Sequence, residues 1–139
     1  KWNSFTCIIR GLGLKKGALA ASNPWEAVGI VVFGADEQDM AAAVNRVVET
    51  GGAMVLCIDG QIQAELPLPY GGIVSHLKIE EVVEKIEHIN QLTRQSGFRF
   101  EDAPLALSTL TTPAIPFLRM SEDGLVDIKT GRVLDVIMD

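Results

Sequence analysis

The sequence predicts a single α/β (α+β) domain: a mixed β-sheet with helices packed on it. Two short apolar runs rich in β-branched residues, VGIVVFG and AMVLCID, flank a segment whose apolar residues recur at helical spacing. Turn signals such as Asp59-Gly60 separate further short runs into hairpins. The 139 residues make one domain, long enough to bury about two thirds of the surface of the unfolded chain without a disulfide or metal.

The elements follow in order. VGIVVFG (28–34) reads as a strand buried on both faces. In ADEQDMAAAVNRVVETGG, Asp36 caps a helix, Asp39 stands three residues on, and Met40, Val44, Val47 and Val48 form its apolar stripe. Gly51 and Gly52 stop it, and AMVLCID is the second buried strand. Asp59-Gly60 then turns the chain into QIQAEL, because both turn positions favour positive φ. The strand–helix–strand order predicts one right-handed crossover, and the hairpins make the sheet mixed.

LPLPYGGIVSH is too rich in Pro and Gly for regular structure. The segment after it places Ile79, Val82, Val83, Ile86, Ile89 and Leu92 on one face of a long helix that stops at Gly97. Pro113 and Pro116 mark LALSTLTTPAIPFLRM as an edge strand or extended loop. LVDIKTGRVLDVI alternates around Thr130-Gly131 and reads as a terminal hairpin.

Composition excludes several classes of function. The net charge is −6, and Lys15-Lys16 is the only adjacent basic pair, so nucleic acid is not expected as a partner. No apolar run reaches the roughly 20 residues of a membrane span. KWNSFTC lacks the regions of a signal peptide and an initiator Met, as expected of a processed product or a piece of a longer protein. Cys7 and Cys57 lie in apolar stretches, which predicts buried free thiols and a cytoplasmic location.

The stretch RGLGLKKGALAAS has the composition of an anion cradle but not the spacing. Lys15-Lys16 precede Gly17-Ala18 where a Walker loop needs Ser or Thr, and the glycines at 11, 13 and 17 miss the dinucleotide fingerprint. Tight turns are the better reading. His88 falls on the solvated side of the long helix. His76 stands in a loop beside Ser75, a helix cap or a ligand contact. Glu80, Glu81, Glu84 and Glu87 form a solvated face, and no motif of metal-ligand spacing occurs. The chain carries no self-sufficient catalytic set and no cofactor site.

An ordered series of segments resembles the C-terminal domain of bacterial adenine deaminases, in the amidohydrolase superfamily. The segments are GLGLKKGALAAS, VVFGADEQDMAAAVNRVVETGGAMVLCIDGQIQAELPLPYGGIVS and LALSTLTTPAIPFLRMSEDGLVDI. The resemblance implies that residues 1–139 are an accessory domain of an enzyme that converts adenine and water to hypoxanthine and ammonia. The divalent metal of such enzymes (Mn, Fe or Zn) sits in an upstream (β/α) barrel outside this chain. That barrel is the implied partner, which this domain packs on and whose active site it helps to close. A homo-oligomer, a non-enzymatic small-molecule-binding or assembly module, and a parent with lost or altered activity stay open.

Two segments depart from the family pattern. Where the family reads Val-Ala-His-Asp-Ser-His-Asn, this chain has Asn23-Pro24-Trp25-Glu26-Ala27-Val28-Gly29, with Trp25 and Val28 in place of the histidines and Glu26 in place of Asp. After LPLP, the family's Met-Ser-Asp is Val74-Ser75-His76. The resemblance thus makes Ser22, Trp25, Glu26, Ser75 and His76 the substrate-pocket candidates.

Overall fold

The computed structural model describes residues 4–25 and 29–134. Its central strand, β1 (Ala18–Ala21), lies inside the stretch whose glycines signal turns. The expected tight turns hold at the glycines, and a strand that was not expected follows them. Gly13 and Gly17 have φ of +78° and +80°, and a Cβ on Gly17 would stand 2.8 Å from the Cys57 carbonyl oxygen. The ALAA that follows is wholly buried.

β1 pairs antiparallel with β2 (Val31–Gly34) on one side and with β3 (Ala53–Ile58) on the other. β4 (Gln61–Pro67) pairs antiparallel with β3, giving the order β2-β1-β3-β4. The β2 and β3 strands therefore run parallel to each other across β1, joined through α1 (Glu37–Glu49). Every neighbouring pair in the sheet is antiparallel. The Asp59-Gly60 hairpin forms as expected, with φ of 55° and 75°.

Alternation along the strands divides the core into two layers. Ala20, Ala53, Val55 and Cys57 pack against Ala43 and Val47 of α1. The opposite face carries Leu19, Ala21, Val31, Phe33, Met54 and Leu56. It is covered by Ile89 of α2 (Ile79–Gln95), Leu107 of α3 (Ala103–Thr109) and Phe98, whose ring stacks on Phe33 with centroids 5.3 Å apart. A second antiparallel sheet, β5 (Leu118–Ser121), β6 (Gly124–Asp127) and β7 (Arg132–Leu134), contains the expected hairpin at Thr130-Gly131.

Several expected details are corrected. Of the run expected as a doubly buried strand, Val31–Gly34 forms β2, an edge strand with one buried face, because β1 occupies the centre of the sheet. The α1 stripe is turned toward Asp39, Ala43 and Val47, leaving Val48 exposed; small Ala43 lets the helix sit close on the β1 alanines. On α2 the seam runs through Val82, Ile86, Ile89 and Thr93, and Ile79 and Val83 face outward.

The segment expected as an edge strand begins instead with α3. The Asp102 carboxylate caps it by accepting from Leu105 N at 2.8 Å, and Pro104 sits in the first turn, where its missing N–H is no loss. Asn90 Oδ1 accepts from Ala103 N at 2.8 Å, tying α3 to α2. Pro113 and Pro116 fall after the helix, and extended structure resumes at β5.

The corrected α2 seam yields a stability test. Ile89→Ala empties a fully buried site and is expected to lower stability by about 2–5 kcal/mol in urea denaturation. Val83→Ala, at a position the apolar periodicity alone would also bury, is expected to change it by less than about 0.5 kcal/mol.

Candidate functional site

Ser22 directly follows β1, and its hydroxyl donates to the Gly72 carbonyl at 2.7 Å and accepts from Ala53 N at 3.1 Å. This clasp holds the loop after β4 against the end of the central strand. The loop lies backbone to backbone there: a Cβ on Gly52 would stand 2.5 Å from Gly72 Cα and 2.6 Å from the Leu68 carbonyl oxygen. The Leu68 N–H also donates to the Gly52 carbonyl at 2.9 Å. Ser22 is therefore a structural tie with its hydrogen-bonding capacity in use.

Trp25, three residues on, is 51% exposed, and its backbone carbonyl accepts from Thr111 Oγ1 at 3.2 Å. Ser75 does not cap α2. Its Oγ accepts from Leu77 N at 3.3 Å inside the loop, while Lys78 holds the N-cap position and donates its N–H to the Glu81 carboxylate at 3.2 Å. His76 is exposed. Glu26 lies outside the described residues. The fold thus brings the segment leading to Trp25 and the loop leading to Ser75 and His76 to one edge of the sheet. Tyr70, Ile73 and Val74 of that loop are exposed as well, so the edge is largely apolar.

The strongest electrostatic feature lies elsewhere. Asp39 is buried on the inner face of α1, and its carboxylate accepts from Gly60 N at 2.7 Å, Asp59 N at 3.2 Å and Cys57 Sγ at 3.3 Å. Burial pushes its pKa upward. The donors at Gly60, Cys57, Asp59 and Gly17 together outweigh that, and the carboxyl lies below its ordinary range. The Cys57 thiol is pushed up to about 11, first by burial and then by the neighbouring carboxylate. A charged, buried carboxylate held by the backbone amides of the Asp59-Gly60 turn and by the Cys57 thiol is a structural anchor. Its signal in the sequence was the spacing 39, 43, 47, which puts Asp39 on the buried stripe.

The lysine pair faces carboxylates of the chain itself. Lys15 and Lys16 border a hollow of about 250 Å³ with Asp36, Asp39 and Asp59, and Lys16 Nζ stands 3.2 Å from the Asp59 carboxylate. His76 and His88 are both exposed, and among the described residues no three His, Cys, Asp or Glu side chains are grouped so as to hold a metal.

The sequence profile of the adenine deaminase C-terminal domain matches residues 1–132. The chain belongs to that family. An adenine deaminase of Archaeoglobus fulgidus is 41% identical over 131 residues, covering 94% of this chain and 23% of the relative. Those of Kosmotoga olearia and Methanothrix thermoacetophila are each 39% identical, over 120 and 122 residues, covering 86% and 88% of this chain and 21% of each relative. The chain thus spans less than a quarter of the length of the curated relatives it matches. As a family domain it corresponds to one part of larger adenine deaminases, and it lacks a catalytic metal site of its own among the described residues. No helix among the described residues is long and apolar enough to cross a membrane.

The Asp39 anchor carries a prediction with a definite sign. Hydrogen bonds to a charged group contribute about 1.5–3 kcal/mol, so Asp39→Asn is expected to lower stability by that amount at pH 7. Because the native pKa is lowered, the wild-type advantage is full above the ordinary carboxylate value of about 3.9 and disappears as pH falls through the native value. Urea titrations of both proteins between pH 7 and pH 2 measure the converging stabilities.

Proposed function

We propose that this chain is the C-terminal accessory domain of a metal-dependent, adenine deaminase-like amidohydrolase. The parent enzyme hydrolyses adenine to hypoxanthine and ammonia at an upstream (β/α) barrel that holds Mn, Fe or Zn. The domain contributes no metal ligand and no catalytic group. It packs on the barrel and presents its apolar edge toward the substrate site. The free thiols of Cys7 and Cys57 accord with a reducing, cytoplasmic location.

One observation carries this reading. Ser22 and Gly72, which precede the two segments at which this chain departs from its family, are clasped together, so Trp25 on one segment and Ser75 and His76 on the other lie within four residues of the same tie. Trp25, Ser75 and His76 are the residues through which that edge would touch the substrate region, with Ser22 holding them in place. The same observation supports a second reading. Exchanging two histidines and a carboxylate for Trp25, Val28 and His76 suits a parent whose substrate differs from adenine.

Ammonia release by the metal-loaded full-length protein, against a metal-free control, separates the two. Release from adenine supports deamination of adenine, and its absence favours the altered substrate. In an active enzyme, Trp25→Ala is expected to lower kcat/KM by at least about tenfold through loss of substrate positioning, with little change in melting temperature. Unchanged kinetics would remove this edge from the substrate region.

A further inference from the structure

Residues 4–10, SFTCIIR, have the composition and burial rhythm of a β-strand, but among the described residues no strand pairs with them. Phe5, Cys7 and Ile9 are half-buried, and Ser4, Thr6, Ile8 and Arg10 are exposed, an unbroken two-residue period in a stretch rich in Phe, Thr and Ile. The inward side chains line a cavity of about 600 Å³ together with Val32, Phe33 and Met120. On the outward side Ile8 is 95% exposed, more than any other large apolar side chain among the described residues.

Among the described residues, 4–11 make no backbone hydrogen bond. The first backbone ties come at Leu12, whose carbonyl accepts from Arg99 N at 2.9 Å, and at Lys15, whose N–H donates to Ser96 O at 2.9 Å. The segment is held at one end in an extended form, with both backbone edges open. Open, apolar strand edges are templates for another strand.

We propose that in the full-length protein residues 4–10 pair with a β-strand supplied by the polypeptide upstream of this domain, whose apolar side chains cover Ile8. The relatives place more than three quarters of their length outside the matched region, and the family's domain is C-terminal, so in them the bulk of the polypeptide precedes the part that matches this segment. A strand on the same chain meets residues 4–10 at a millimolar effective concentration, which favours it over a second copy of the protein. The pairing rests on family membership alone and is independent of adenine as substrate. It makes this segment a shared seam between the domain and what precedes it.

Hydrogen exchange on the full-length protein tests the pairing, together with an Ile8→p-benzoylphenylalanine variant cross-linked by light. Alternate amides in 4–10 are expected to exchange at least about tenfold more slowly than in an unstructured peptide, whatever the protein concentration. The cross-link is expected to join position 8 to a peptide upstream of Lys1 in the same chain. Unprotected amides overturn the proposal. So does a cross-link between isotopically distinct copies, or one confined to residues 4–139. Ammonia release by the same preparation is read separately, so an enzyme inactive on adenine but protected at 4–10 leaves the seam standing.

Discussion

The fold depends on how close two layers of helix can come to one four-residue strand. β1 is flanked by strands on both sides and covered on both faces, so each of its side chains must fit between a sheet and a helix. Alanine at 18, 20 and 21 meets that constraint, with Leu19 as the single large side chain turned toward α2 and α3. Ala43 on α1 supplies the matching small surface across the layer. Interiors at crystal-like density tolerate few added methylenes, so the ALAA pattern sets the spacing of the whole domain.

The same strand positions the candidate site. Its first residues follow a glycine in left-handed conformation against the Cys57 carbonyl, and its last residue leads into Ser22. A strand anchored at both ends and buried throughout delivers Ser22 to a fixed point, and the loop that carries Ser75 and His76 is held from there. Rigid strand and irregular loop thus have separate tasks: the strand sets where the edge is, and the loop sets what the edge presents.

Much of this was legible in the residues, for identifiable reasons. The helix starting at Glu37, the buried strand AMVLCI and the Asp59-Gly60 turn follow from local rules that the tertiary context leaves intact. β1 escaped because small residues next to glycines look like loop, and only the packing of helices on both faces makes four such residues a core strand. α3 escaped because Pro113 and Pro116 drew attention from Asp102 and Pro104, which start a helix just upstream. Of the site, the two divergent segments were visible in the sequence, but their meeting was not. Ser22 and Gly72 are fifty residues apart, and no periodicity relates them.

Glu65 on the β4 edge has a further consequence. Its carboxylate receives Arg46 Nε of α1 at 2.6 Å, while its backbone carbonyl receives Lys85 Nζ of α2 at 3.1 Å. One edge residue is thus gripped from both layers. A slip of β4 by one residue would turn the Glu65 carboxylate to the wrong face, and a slip by two would carry it about 7 Å along the strand, out of reach of Arg46. Alignment of this outermost strand is therefore checked by charge as well as by hydrophobic contact. Such a gauge matters most beside the irregularity at Leu56 and Cys57, where the ladder itself permits a shift.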